Sequence, residues 1–366
     1  MNFDSNLSKP NFSDQPIYDL IYTSLALPAI AVAHEIGLFT TLSGQAQTIQ
    51  EAAIAMGLSP RATEALISVS AGAGFLEIGS DKRFSPTGLA QEYLSPSSPF
   101  SYGAKLAYAA ELTTGSELLE SIRRAVREES HLVAPMEAGV DKQNEDDTKE
   151  FVEFAKSHTA VGAAQLDQAS IKKFIDYMHI HTLPAGFALA ENQILDDVSS
   201  LLDVGAGSCS ISCAIATKRP DIRITALDIA SVCELAEETI AQHQVGNQVS
   251  LHTGDMFSEP LPRNHDAHVF SNIFHDWDAD TCHQLAKQSF DALDSGGKII
   301  LNEMPIADTK DGPLFLGCCN VILMLHEKGR KYSLPEFEKM LSQAGFVDFQ
   351  SEPNFGYYHL ISARKP

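Results

Sequence analysis

The pattern of apolar and polar positions changes near residue 195. Before it, apolar residues recur at three- and four-residue spacing, the period of helices buried on one face. After it, short apolar runs alternate with amphipathic stretches, the rhythm of strands joined by helices. In the first half, Thr48–Met56 predicts a helix. Ser59-Pro60 predicts an N-cap, with proline at the first position of a second helix that stops at Gly74. Two strand-like runs follow, Phe75–Ile78 and Arg83–Ser85, joined by a turn at Gly79-Ser80-Asp81. Helix, turn, helix and two-stranded wing outline a winged helix. Leu106–Arg127 predicts a further helix, Glu128–Asp147 an acidic surface loop or lid, and Phe151–Asp167 and Ile171–Ala190 two more helices.

In the second half, strands are expected over 201–204, 223–229, 249–252, 268–274 and 298–302. Helices fall between them over 211–218, 233–243 and 280–293. The tail, 346–350 and 357–362, reads as a closing antiparallel pair. This alternation implies an α/β fold with a doubly wound, mostly parallel sheet. The expected division is a helical, winged-helix-like domain over 1–110, a helical linker or lid over 111–195, and the sheet domain over 196–366.

Charge narrows what the winged outline can do. The chain carries 26 Lys+Arg against 48 Asp+Glu, a net charge of −22. Phosphate contacts need clustered basic residues, so a nucleic-acid partner and an anionic membrane surface are both disfavoured. The helix that would read a groove holds one basic residue, Arg61, with Glu64 a turn later. A packing and dimerisation module is the reading preferred over DNA binding, and a small molecule is the expected partner.

The apolar stretch Leu25–Phe39, interrupted by His34 and Glu35, reads as too short and too polar to span a bilayer. Met1–Pro16 lacks the basic and apolar regions of an export signal. All six cysteines lie after residue 200 and none forms a Cys-x-x-Cys pair. Free thiols in a cytoplasmic protein are the expectation.

The chemistry concentrates at strand ends. Asp203-Val204-Gly205-Ala206-Gly207-Ser208-Cys209 lies between a strand and a helix, where glycines admit a close ligand and the helix start favours an anionic group. Asp228 ends the second strand, where an acid can take ribose hydroxyls. Gly254-Asp255-Met256-Phe257 ends the third. There Asp255 can accept from an adenine amine and Met256 can pack on the ring.

These residues, together with Ser271-Asn272-Ile273-Phe274-His275-Asp276-Trp277, resemble the class I S-adenosylmethionine (SAM) methyltransferases acting on small molecules. The similarity is to the branch of plant caffeic-acid-type and bacterial polyketide O-methyltransferases, including phenylpyruvate-type 2-oxo acid C-methyltransferases. It extends over nearly the whole chain and implies a Rossmann-like catalytic domain, an N-terminal dimerisation domain and a homodimer. It further implies that Gly205 and Gly207 line the SAM amino-acid end, with Asp203 also among the cofactor-binding residues. Asp228 would take the ribose, Asp255 and Met256 the adenine, and Met178 and Thr182 would lie on a helix closing over the cofactor. Cys209 departs from the family by standing at its third glycine.

For the reaction, the resemblance implies His275 as general base, with Asp276 beside it and Glu303 as one flanking acid. The other flanking acid is expected just before Tyr332-Ser333, where this chain has Lys331. A lysine cannot pair with an imidazolium. A second departure is His326, on a helix whose Asn320 and Met324 are expected to line the acceptor pocket. Related C-methyltransferases use two histidines near these motifs to hold iron, so His275 and His326 are also candidates for a metal pair. Two chemistries therefore stay open. The first taken is C-methylation at the β-carbon of a 2-oxo acid, phenylpyruvate-like or guanidino, with iron. The alternative is O-methylation of a phenolic or polyketide hydroxyl with His275 as base. A non-catalytic winged-helix regulator is the reading from another class, and the intact acids and His275 argue against it.

Overall fold

The computed structural model describes residues 8–98, 101–130 and 168–366. The chain divides into two compact units that do not follow the expected boundaries at 110 and 195. One unit is residues 14–149 with 306–333; the other is residues 1–13, 150–305 and 334–366. Apolar periodicity marks helices but not which core they join, so the return of 306–333 to the N-terminal unit had no signal in the pattern.

In the N-terminal unit, α1 (Gln15–Tyr22), a 3-10 turn and α2 (Ala26–Glu35) lead into α3 (Leu38–Gly44) and α4 (Ile49–Met56). Thr48 caps α4 in a reciprocal box with Glu51, so two of the helix's orphan backbone groups are satisfied. Ser59 caps α5 (Pro60–Gly72), accepting from Ala62 N–H at 3.0 Å, with Pro60 in the first turn as expected. The wing follows as β1 (Leu76–Ile78) and β2 (Phe84–Pro86), paired antiparallel. Then come α6 (Gly88–Tyr93) and α7 (Gly103–Ser130), which runs further each way than Leu106–Arg127. The expected loop at Glu128–Asp147 therefore begins as helix; its remainder and Phe151–Asp167 lie outside the described residues.

The run Gln15–Glu35 is 21 residues long and apolar enough, by length and composition, to cross a membrane. Leu25–Phe39 alone did not suggest that. The 3-10 turn at Thr23–Leu25 divides the run, and Pro28 to Ala33 of α2 are buried.

The second unit opens with α8 (Gln168–Ala190), followed by β3 (Ser200–Val204), α9 (Ser210–Lys218), β4 (Arg223–Asp228), α10 (Ala230–His243) and β5 (Val249–Thr253). It continues through β6 (Ala267–Ser271), α11 (Ala279–Ala292) and β7 (Lys298–Glu303). The chain then crosses to the first unit for α12 (Leu314–His326) and returns for α13 (Leu334–Ala344), β8 (Val347–Pro353) and β9 (His359–Arg364). The seven strands lie in the order β5-β4-β3-β6-β7-β9-β8. The first five are parallel; β9 runs antiparallel to β7 and to β8. Every residue of β7 is buried, the polar Lys298, Asn302 and Glu303 as well as the apolar centre Ile299–Leu301. This is the doubly wound, mostly parallel arrangement that the alternation implied. β6 stops three residues short of the expected Phe274, because Asn272 turns into the left-handed region. All six cysteines are among the described residues, all are buried, and none is in a disulfide.

Within the N-terminal unit, α5 and α12 pack closely through glycine. A methyl group on Gly72 would come 2.7 Å from Leu314 Cα. Arg61, the one basic residue of α5, donates to the carbonyls of Gly329, Leu323 and Glu327 at 2.8, 2.6 and 2.5 Å. It caps the end of α12, which leaves the winged outline without its candidate groove reader. Glu64 is buried, 2.9 Å from Arg330.

Candidate active site

The carboxyl ends of β3, β4, β6 and β7 bring the sequence motifs together, as expected where ligands bind in such sheets. At the end of β3, Gly205 has φ +70° and Gly207 φ +54°. A Cβ at Gly205 would meet the flexible end of Ile273, Cδ1, at 2.5 Å, and it is the left-handed backbone that favours glycine there. At Gly207 a side chain would meet nothing within 4 Å: the backbone faces open space. Cys209 also adopts the left-handed region, at φ +58°, as the N-cap of α9. It takes a conformation that favours glycine, at the steric cost of a Cβ.

Two acids sit behind this turn. Asp203 is buried and accepts from Ser212 Oγ at 2.7 Å. Burial pushes its carboxyl up to about 6, and the Asp228 charge adds to the rise. Asp228 Oδ2 accepts from Gly207 N–H and its Oδ1 from Ile229 N–H, both at 2.8 Å; burial raises it to about 6. Each oxygen keeps a lone pair for a further donor. Asp255 accepts from Phe257 N–H at 2.9 Å and from Ser258 Oγ at 2.8 Å, which holds the loop after β5. Met256 is buried, its sulfur 3.8 Å from the position a Gly205 side chain would take. These residues fit a SAM-type ligand: an open glycine turn, a buried carboxylate pinned beside it, and an acid and methionine at the next strand end.

On α8, Met178 is half-buried and Thr182 is buried. Thr182 Oγ1 accepts from Asn272 Nδ2 at 3.2 Å. Sequence reasoning missed His179, between them, whose Nδ1 lies 3.2 Å from Ser208 Oγ on the glycine turn. Nothing in its spacing distinguished it from the chain's other histidines.

His275 lies in a 3-10 turn, Phe274–Asp276, beyond β6. Its Nδ1 is 2.7 Å from Oε2 of Glu303, the fully buried last residue of β7. Glu303 Oε1 accepts the backbone N–H groups of Phe274 and His275 at 3.0 and 3.4 Å. One carboxylate thus holds both the turn and the ring. On the other side, Nε2 is 3.3 Å from Asp276 Oδ1. The ring is flanked by two acids after all, although Lys331 holds the place where one was expected. Lys331 is buried in the N-terminal unit, and its N–H donates to Asn320 Oδ1 at 2.7 Å.

Asn320 and Met324, expected to line an acceptor pocket, are both buried on α12. Met324 packs in the apolar core of the N-terminal unit, and Asn320 holds the 331 backbone. His326 ends α12, and its side chain lies outside the described residues. The metal pair is not carried further. Both His275 nitrogens face carboxylates, and among the described residues no group of three or more His, Cys, Asp or Glu could hold a metal ion.

Comparison with known proteins gives the family and the fold. A family model described as the O-methyltransferase domain matches residues 135–347, more than half of the chain. A 3-hydroxy-5-methyl-1-naphthoate 3-O-methyltransferase from Streptomyces sahachiroi is 28% identical, over 86% of this chain and 84% of that one. A family 2 O-methyltransferase from Planctomyces limnophilus, solved with apigenin, superposes with a TM-score of 0.77 at 23% identity, covering both chains fully. Human N-acetylserotonin methyltransferase, solved with SAM, gives 0.55 at 21% identity, over 97% of this chain and 99% of that one. With its acids, its glycine turn and its histidine at the sheet's carboxyl edge, the chain belongs to the O-methyltransferase family and is a SAM-dependent methyltransferase.

Proposed function

We propose that this enzyme methylates a hydroxyl group of an aromatic or polyketide-type small molecule, with His275 as general base. The observation that carries this reading is the His275–Glu303 pair. With Glu303 as a carboxylate, which only accepts, the 2.7 Å contact favours the tautomer that carries its proton on Nδ1 and its lone pair on Nε2. Nε2 is then the acceptor for the hydroxyl proton. In that neutral form Nε2 and Asp276 Oδ1, 3.3 Å apart, share no hydrogen bond. Once Nε2 carries the proton, Asp276 becomes its ion-pair partner and Glu303 steadies the other side. The two acids thus flank the ring on which proton abstraction leaves the charge, while Glu303 keeps it oriented.

SAM, when bound, supplies an electrophilic methyl on a good leaving group. Asp228 would hold its ribose hydroxyls, Asp255 and Met256 its adenine, and Asp203, Gly205 and Gly207 its amino-acid end. Met178 and Thr182 would cover it from α8. Holding the acceptor in line with the methyl contributes several kcal/mol of rate enhancement. The naphthoate hydroxyl named for the Streptomyces relative supports the acceptor class.

The test is a panel of phenols, hydroxynaphthoates, polyketides and 2-oxo acids, incubated with SAM and read by mass spectrometry. Methyl ethers formed by the native enzyme and not by His275→Ala are expected. A carbon-methylated 2-oxo acid as the product would overturn the reading.

We further propose that a second copy of the chain covers α1. That helix exposes Ile17, Leu20 and Ile21 on one face, with Phe12 just before it. Light scattering should give a dimer, and Leu20→Glu a monomer.

A further inference from the structure

Asn272 meets two requirements at once. It closes β6 with φ +57°, a left-handed conformation that asparagine tolerates better than most residues with a side chain. The reversal leads directly into the turn Phe274–Asp276 that presents His275. The Asn272 side chain is buried, so its amide needs partners. Nδ2 donates to Thr182 Oγ1 at 3.2 Å and to the Tyr358 hydroxyl at 2.9 Å, and that hydroxyl lies 3.1 Å from Oδ1. Thr182 is on α8 and Tyr358 immediately precedes β9. One amide therefore joins three elements.

A second polar chain runs alongside. Asn302 Nδ2 donates to Ser271 Oγ at 2.9 Å. Asn354 Nδ2 lies 3.0 Å from both Asn302 Oδ1 and the Ala185 carbonyl on α8. Both chains start at the end of β6 and finish on α8, at residues three apart, one helical turn. Backbone geometry alone would be met by glycine at 272. The buried amide adds a fixed link between the helix proposed to cover the cofactor and the turn that carries the base.

We infer that Asn272 is a positioning residue: its amide locks the His275 turn to α8, so that the ring is aimed at the acceptor hydroxyl when the cofactor site is filled. The inference rests on His275 acting as base. It adds Asn272 and Tyr358 as residues that act through the position of His275.

Two variants test it. Asn272→Gly keeps the left-handed backbone and removes the amide. Tyr358→Phe leaves residue 272 intact and removes its partner. Each is expected to lower kcat at least tenfold, with KM for the acceptor and Kd for SAM changed less than threefold. The double variant should be no slower than the worse single one, because both break the same link. His275→Ala is measured in parallel. Full kcat in both variants, with His275→Ala inactive, overturns the inference and leaves the base assignment standing. Additive losses, matched by an equal loss of SAM affinity, also overturn it, since general loosening would act that way. An active His275→Ala removes the proposed function, and the inference with it.

Discussion

Gly317 lies so close to Ser68 that a methyl group in its place would come within 2.8 Å of the Ser68 carbonyl carbon. This fixes the approach of α12 to α5, and backbone atoms cannot move aside as a flexible side chain can. Gly317→Ala should therefore cost about 1–3 kcal/mol, the usual penalty of overpacking. Chemical denaturation of the native enzyme and the variant checks this, and unchanged stability would show that the two helices separate freely.

Arg61 binds three carbonyls at and beyond the end of α12. Arg61→Met keeps most of the aliphatic stem and removes every donor. The stranded carbonyls should lower stability by about 2 kcal/mol. Binding to random-sequence DNA at physiological salt should be absent both before and after the change, which a gel shift would show.

Cofactor binding should depend on pH below about 6. Asp203 and Asp228 both sit near 6 in the free enzyme, chiefly through burial. Because the folded state raises them, their ionisation costs stability as pH rises from the ordinary carboxylate range through 6. Ligand binding has the opposite sign, since ribose hydroxyls and a cationic ligand favour the charged carboxylates. Kd for SAM should weaken by about tenfold per pH unit below 6 for each carboxylate that must lose its proton. Calorimetric titration from pH 8 to 5 tests this; a flat profile would remove Asp228 from the ribose role.

His268 predicts an acid limit to stability. It is fully buried on β6, with Nδ1 3.0 Å from Ser289 Oγ and, among the described residues, no hydrogen-bond partner for Nε2. Burial lowers it to about 3, with the neighbouring His265 contributing. The unfolded chain takes up a proton near the ordinary histidine value while the folded chain does not. Stability is therefore whole above about 6.5 and is lost as pH falls from there toward 3. At pH 5 the loss from this group is about 2 kcal/mol. The double change His268→Leu with Ser289→Ala should flatten the fall in melting temperature between pH 7 and 5.

Glu303→Gln keeps an acceptor oxygen for the backbone groups of Phe274 and His275 while removing the charge. It should lower kcat by about 10–100-fold and leave the Kd for SAM near the native value. A loss confined to SAM affinity would reassign Glu303 to the cofactor.

Local signals carried far in this chain. Ser59-Pro60 marked the start of α5, because capping and proline geometry act within one turn. The glycine turn after β3 and the acids at strand ends were legible, because the parallel sheet places every strand's carboxyl end on one edge. Cys209 was visible as an exception, but its left-handed backbone was not. Lys331 was legible as a missing acid, but the carboxylate that flanks Nε2 comes from Asp276, next door in sequence.

What the sequence determined by itself was the alternation of elements, the excess of negative charge, the cofactor motif and the histidine after β6. These follow from periodicity, capping and composition, which depend on neighbours a few residues apart. Tertiary structure alone decided that 306–333 leaves the sheet unit to pack on α5, that Arg61 serves a helix end, and that Thr182, Asn272 and Tyr358 meet in one buried network. Those contacts join residues up to 268 positions apart, as between Arg61 and Gly329. They are set by complementary shape and by the need to satisfy buried polar groups, neither of which leaves a period in the chain.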